Sequence, residues 1–336
     1  MVSTTTLGGP AKDVLVAKVG TGLMLLTWTR TPLPDEELFE VLKTAIDAVP
    51  AGSKMLFNSA QFYALDLGTG NLELLARFFE RYPLYADRVF LTVNGGMKNK
   101  MEPDPSPEGL RASIEKCAKA LRGTKKVDLF QNARVSRLTP ISEQMKVLKG
   151  FVDEGLIGNI GLSECSAATI REAVQYAPIT AVEIEISPWA YEAETRNVIA
   201  TCAELGIAIF AYSPLGVGFL TGELQFPLKD WRNLVIRYRD EHRDKNLKLV
   251  EALKVVAQKK GITAAQLCLA WTQALGERII PIPCSTQTSH VLENLQSSDV
   301  KLSSDELVEI DRILAKYPVS GERFWEEHNN SLQLWG

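Results

Sequence analysis

Histidine is scarce in this chain, with three in 336 residues (His242, His290 and His328), so imidazole-based acid–base chemistry has few candidates. The five cysteines (Cys117, Cys165, Cys202, Cys268, Cys284) are scattered and form no CxxC pair, which argues against a disulfide framework or a zinc site and fits a reducing, cytosolic setting. No apolar run approaches the length of a bilayer span, and the opening Met1-Val2-Ser3-Thr4-Thr5-Thr6 lacks both the basic and the apolar part of a secretion signal. The net charge of -4 gives no broad electrostatic reason to bind nucleic acid or an anionic membrane. With 46% hydrophobic and 23% charged residues, the chain has the composition of a soluble globular protein with a large core. A small molecule is the expected partner, and a monomer or weak oligomer the expected state.

Short β-rich runs alternate with amphipathic segments. Met55–Phe57, Val89–Val93, Val127–Phe130, Gly158–Leu162, Val182–Ile186, Ala208–Ala211 and Ile279–Ile282 read as buried strands, with an earlier one near Val19–Leu26. Helical patterns cover Glu36–Ala48, Leu72–Arg81, Pro107–Leu121, Glu143–Glu154, Ala167–Gln175, Ala193–Leu205, Asn246–Lys259 and Ala264–Ala274, the last opened by Thr263 as N-cap. Eight such units predict one closed (β/α)8 barrel over about 14–315, with a tail at 316–336 that folds over a barrel face. Leu224–Arg243 reads as a long βα loop or an extra helix, and its Arg237–Arg243 run as a solvated face.

Polar residues follow several strands. Leu56-Phe57-Asn58-Ser59-Ala60-Gln61-Phe62-Tyr63 and Val89-Phe90-Leu91-Thr92-Val93-Asn94-Gly95-Gly96 are the most telling, with Gly155–Glu164, Glu183–Pro188, Ala211–Gly216 and Ile280–Pro283 beside them. As a set they resemble the aldo-keto reductases, and Lys125–Val135 resembles the pyridoxal reductase-like branch of that family. The resemblance runs roughly from Val19 to Asn294. It implies a barrel mouth in which a tyrosine gives a proton to a carbonyl oxygen while a nicotinamide cofactor gives hydride to the carbon.

On that resemblance the family's aspartate, tyrosine, lysine and histidine correspond here to Asn58, Tyr63, Asn94 and Ala133. A tyrosine is a weak acid at neutral pH, with an ordinary pKa of about 10, and an adjacent ammonium normally lowers it. Loss of one electrostatic donor costs roughly a hundred- to a thousandfold in rate. Losing the lysine alone would strand a buried carboxylate, at roughly 3–5 kcal/mol, and two amides avoid that. The expectation is therefore a repurposed pocket. Tyr63, Asn58 and Asn94, the two amides bonded to each other, would polarise a carbonyl for cyclisation, isomerisation or dehydration without hydride transfer, in specialised metabolism. The alternatives are an NAD(P)H-dependent carbonyl or pyridoxal-like reductase, with Lys98 or Lys100 swinging in as substitute donor, and a non-catalytic nucleotide-binding subunit.

The resemblance places Trp28, Phe62 and Ala133 around the substrate, and Trp231, within a polar loop, reads as a further pocket residue, a lid or a helix-packing anchor. It assigns Tyr212 to stack on nicotinamide and Ser163 with Glu183 to hold the amide. Ser213, Leu215, Gly216, Ser285, Thr286, Glu293 and Asn294 contact the nucleotide. Between Arg278 and Lys301 the chain has no Lys or Arg to grip a 2′-phosphate. The expectation is NADP(H) or NAD(H) bound more weakly than in the family, or no cofactor. Cys284 reads as inert, and no metal is expected.

Overall fold

The structure is a computed structural model that describes residues 2–98, 102–325 and 334–336. A hairpin of β1 (Thr4–Thr6) and β2 (Leu15–Ala17) precedes eight parallel strands, hydrogen-bonded in chain order. These are β3 (Thr21–Gly22), β4 (Met55–Ala60), β5 (Val89–Gly95), β6 (Leu129–Asn132), β7 (Ile160–Ser163), β8 (Ala181–Glu185), β9 (Ala208–Tyr212) and β10 (Ile279–Pro281). The ends of the sheet meet: the Gly20 and Gly22 amides donate to the Pro281 and Pro283 carbonyls at 2.9 and 3.0 Å, closing the barrel.

Strand alternation sorts the side chains into two apolar layers. Phe57, Leu91, Phe130, Val182 and Ile209 point outward and pack with the helices. Their neighbours Leu56, Phe90, Leu129, Ala181, Phe210 and Ile280 fill the barrel together with Leu7, Ala11 and Val16 of the hairpin segment. The hairpin is a plug at the N-terminal ends of the strands, since Val16 bridges to Lys54, just before β4. Gly8 is required there, because a Cβ would meet the Gly206 carbonyl oxygen at 2.4 Å. One end of the barrel is thus stoppered with apolar groups, and polar chemistry is confined to the other.

Eight of the helices follow the predicted order, with some shifted ends, and a first short helix cuts off the strand expected near Val19–Leu26, which is β3 over Thr21–Gly22 alone. The helices are α1 (Met24–Thr27), α2 (Asp35–Asp47), α3 (Gly70–Arg81), α4 (Pro107–Leu121), α5 (Ile141–Asp153), α6 (Ala167–Ala173), α7 (Ala193–Leu205), α8 (Asp240–Lys260), α9 (Ala264–Ala274), α10 (Thr288–Gln296) and α11 (Ser304–Lys316). Ser106 and Thr263 cap α4 and α9 through their hydroxyls, and Gln266 completes a capping box. The expected loop or extra helix Leu224–Arg243 is a loop with two short 3-10 turns, Trp231–Leu234 and Ile236–Tyr238, up to Arg239, and α8 takes its last residues from Asp240 on. The reading of Arg237–Arg243 as a solvated face is corrected at its start. Arg237 and Tyr238 are buried, and Arg237 donates to the carbonyls of Trp189 (3.0 Å) and Gly321 (3.1 Å). Among the described residues no helix is long and apolar enough to cross a membrane.

Candidate active site

The C-terminal ends of the strands form a mouth with one aromatic wall. Trp28 follows α1, and its ring centroid lies 6.2 Å from Phe62, edge to face, and 5.7 Å from Tyr63. Phe62 and Tyr63 follow β4 and meet edge to face at 5.6 Å. Ala60, Ala133, Leu67 and Met97 complete the cluster, so three of the four expected pocket residues gather around Tyr63. The fourth, Trp231, stands outside this cluster and is 43% exposed.

The wall is fixed from behind by Asn71 of α3, fully buried. Its Nδ2 donates to the Leu23 carbonyl (2.9 Å) and to Thr27 Oγ1 (2.8 Å), and its Oδ1 accepts from Ser59 Oγ (2.6 Å). Thr27 in turn donates to the Tyr63 carbonyl at 2.6 Å. The Tyr63 backbone is therefore locked, while no described side chain hydrogen-bonds its hydroxyl.

Beneath Tyr63 the two asparagines do not bond each other. Both turn to Glu183 of β8. Asn58 Nδ2 lies 2.5 Å from Glu183 Oε2 and 3.0 Å from Thr92 Oγ1. Asn94 Nδ2 lies 3.2 and 3.3 Å from the two carboxylate oxygens. Gln131 of β6 adds a third amide, with Nε2 2.5 Å from Glu183 Oε2 and 2.8 Å from Asn94 Oδ1. The carboxylate is buried and every one of these donors is neutral. Burial pushes its pKa up to about 7, against the pull of the amides. Burial first, and then the Glu183 charge and Cys284, hold the Tyr63 phenol far above the ordinary tyrosine value, with Arg134 opposing.

Two expectations are corrected here. Asn58 and Asn94 direct their donors to Glu183, which leaves no amide pair to polarise a substrate oxygen. Lys98 does not replace the missing ammonium, because it is exposed and faces Asp104 at 3.6 Å. Lys100 lies outside the described residues.

A second polar group lies across the mouth. Glu164 and Ser213, the residues after β7 and β9, have left-handed backbones (φ +51° and +46°), a conformation that costs roughly 1–2 kcal/mol in a non-glycine residue. The turn at Glu164 aims its carboxylate at the Tyr212 hydroxyl, which donates at 2.6 Å, and at the Glu185 amide (3.2 Å). Arg323 of the C-terminal segment closes the cluster, with Nε on Glu185 and Nη2 on Glu164. Burial opposes ionisation of Glu164, but Arg323 and then Arg134 hold its pKa below the usual carboxylate range.

The expected nucleotide residues lie along one side of the mouth. Register sets Ser163 beside Glu183 and Tyr212 beside Glu185. The Ser163 hydroxyl has no partner among the described residues, and Tyr212 is tethered by its hydroxyl. Glu183, in contrast, is turned to the three amides. Gly216 carries a positive φ and accepts from the Tyr238 hydroxyl at 2.6 Å. Ser285 Oγ accepts from the Gln287 amide (3.1 Å) and lies 3.5 Å from His290 Nδ1. The start of α10 has no side-chain cap, which leaves backbone N–H groups for an anion. The Glu293 carboxylate is held by Thr263 Oγ1 at 2.5 Å, and Asn294 is buried. Cys284 Sγ accepts from the Leu25 amide at 3.3 Å, and burial pushes its thiol up to about 12, consistent with an inert role.

Sequence reasoning missed Asn71, Gln131, Glu164 and Arg323 as site residues. Gln131 carried a readable signal, a polar side chain inside a strand run between Phe130 and Asn132. Arg323 carried none, because its partners lie more than a hundred residues away.

The aldo/keto reductase family profile matches residues 18–315. The "Probable pyridoxal reductase 2" of Schizosaccharomyces pombe is 38% identical over 95% of this chain and 98% of its own length. The "Putative pyridoxal reductase" of Saccharomyces cerevisiae is 32% identical over 91% and 95%. Among solved structures, the glycerol dehydrogenase of Gluconobacter oxydans superposes with a TM-score of 0.80 over 96% of this chain and 98% of that one, at 20% identity, a likeness of fold alone. Similarity to relatives named as reductases overturns the expectation of non-redox cyclisation, isomerisation or dehydration, and neither name points to specialised metabolism.

Proposed function

This chain belongs to the aldo/keto reductase family, and from that premise we propose that it is a nicotinamide-dependent carbonyl reductase of pyridoxal-reductase type, acting on the aldehyde of a flat aromatic ring. A bound reduced nicotinamide supplies the hydride that adds to the carbonyl carbon. The chain's own residues bind, orient and protonate. Trp28 and Phe62 offer ring faces and edges to the substrate and keep water from it. Tyr63 gives its proton to the carbonyl oxygen as that oxygen becomes strongly basic. Its phenol works without the family's ammonium, since position 94 carries an amide and burial with the Glu183 charge outweighs the opposing pull of Arg134. The rate is accordingly expected to fall roughly a hundred- to a thousandfold below that of a site with an ammonium there.

Ser163, Tyr212, Ser213, Leu215 and Gly216 are the residues expected to orient the cofactor. Ser285, Thr286, Glu293 and Asn294 frame its phosphate end, without a Lys or Arg to favour a 2′-phosphate. The observation that carries the reading is the Tyr63 hydroxyl, without a side-chain partner among the described residues and beside an aromatic wall, in a chain similar end to end to two proteins named pyridoxal reductases. The test follows reduced-cofactor absorbance with pyridoxal in the wild type and in Tyr63→Phe. Pyridoxal-dependent oxidation that falls by about a hundredfold or more in the variant is expected. No oxidation with either NADPH or NADH, or an unaffected variant, would overturn it.

A further inference from the structure

Glu164 and Glu185 share the Arg323 guanidinium, whereas among the described residues Glu183 is hydrogen-bonded by amides alone, with Arg134 acting on it only weakly and without a bond. A buried anion without a bonded cation is costly, and the cost rises when a ligand shuts out water. The four N–H contacts from Asn58, Asn94 and Gln131 fix where the charge sits but bring no positive charge to it. Near it lie Tyr63 of the aromatic wall and, one strand over, the tethered Tyr212 ring. Aromatic faces of this kind accept flat cations.

We propose that Glu183 makes the mouth selective for a cationic aromatic ring, so that a nicotinamide cofactor binds more tightly in its oxidised, positively charged form than in its reduced, neutral form. The inference rests on the reading of the chain as nicotinamide-dependent. A neutral ring displaces water from above Glu183 and returns nothing. An oxidised ring displaces the same water and supplies the missing charge. In a partly desolvated mouth one such charge pair is worth on the order of ten- to a hundredfold in affinity. Tighter holding of the oxidised form also shifts the balance on the protein toward alcohol plus oxidised cofactor. The driving charge would then act on the hydride donor's side, where the family arrangement acts on the carbonyl oxygen.

The experiment measures dissociation constants of the oxidised and reduced cofactor at pH 8, where Glu183 is ionised, by equilibrium titration without substrate, in the wild type and in Glu183→Gln. The wild type is expected to favour the oxidised form by about tenfold or more, and the variant to lose most of that preference. An unchanged ratio, or a wild type that favours the reduced form, overturns this inference and leaves the reductase reading intact. Failure of both forms to bind the wild type overturns both. Should the variant not fold, the wild type decides at pH 8 with two nicotinamide probes that differ in charge and by one methyl group, read by tryptophan fluorescence. The 1-methylnicotinamide cation should bind at least about tenfold better than neutral nicotinamide, and equal binding overturns the inference.

Discussion

Arg323 reaches from the C-terminal segment to Glu164 at the end of β7, with Nη2 3.1 Å from Oε1. The same guanidinium places Nε 2.8 Å from Glu185 Oε2 and Nη2 2.9 Å from the Tyr212 hydroxyl. One residue outside the barrel strands thus neutralises two buried carboxylates and fixes the aromatic ring between them. Removing it by Arg323→Ala leaves Glu164 and Glu185 without their bonded cation. The expected loss is about 3–5 kcal/mol of unfolding free energy, measured by urea titration. Arg323→Lys should recover only part, since an ammonium cannot reproduce the planar fork that spans two carboxylates and a hydroxyl. A loss under about 1 kcal/mol would show that another group carries the charge balance.

The Glu183 carboxylate predicts a pH-dependent stability of a definite sign. Its folded pKa of about 7 lies above its ordinary value of 4.5. Below the lower value both folded and unfolded chains hold the proton, and the site costs nothing. Between the two values the unfolded chain ionises freely while the folded one resists, so stability falls as pH rises. Above about 7 the whole penalty applies, on the order of 3 kcal/mol. Glu183→Gln does not titrate. Its stability relative to the wild type should therefore improve by about that amount between pH 4.5 and pH 8. A difference that stays constant across this range would mean that Glu183 ionises as if exposed.

Much of this arrangement could be read from the sequence, and the limit of that reading is physical. Pro107–Leu121, Ala193–Leu205 and Ala264–Ala274 match the observed helices end to end. Local signals mark two of their starts, Ser106 with Pro107 and Thr263 with Gln266. Strand ends were harder. Met55–Phe57 continues to Ala60, and Val127–Phe130 is shifted to Leu129–Asn132, because the barrel interior turns polar near the mouth at Asn58 and Gln131. An apolar run ends there although the strand does not. The hairpin strand Thr4–Thr6 escaped notice because it is short and polar. Trp28, Phe62 and Tyr63 could be grouped from the motif resemblance. The partners of Asn58 and Asn94 could not, because Glu183 lies 125 and 89 residues away and its reach across the barrel is a tertiary choice.

That cross-barrel contact changes what a repair of the site should look like. Restoring the family's charged pair by Asn58→Asp with Asn94→Lys places a second carboxylate where Asn58 Nδ2 now donates to Glu183 at 2.5 Å. Two carboxylates would then face each other across one ammonium, and one of them must take a proton. Asn94→Lys alone gives Glu183 a cation and brings that cation under Tyr63, favouring the phenolate. The single variant should raise pyridoxal reduction by about ten- to a hundredfold and exceed the double variant. Measured kcat/KM for both decides it. A double variant faster than the single one would mean that Glu183 does not hold the asparagines in solution as it does here.

The α10 turn predicts how cofactor choice can be moved. Backbone N–H groups at the start of the helix favour an anion, but the nearest side chains offer little charge. Ser285 and His290 face each other at 3.5 Å, and Glu293 adds a carboxylate one turn on. Gln287 is the N-cap residue and its side chain makes no capping bond, so replacing it removes no contact of the helix. Gln287→Lys puts an ammonium at this turn, at a cost to the helix of a few tenths of a kcal/mol from the like-signed dipole. If the turn receives the 2′-phosphate end of the dinucleotide, NADPH should bind about tenfold more tightly in the variant and NADH should be nearly unchanged. The gain should shrink at 0.5 M salt, where the screening length falls to about 4 Å. Titrating both cofactors at low and high salt separates the possibilities. An equal gain for NADH and NADPH would place the new charge near the shared pyrophosphate instead, and no gain for either would remove this turn from the cofactor site.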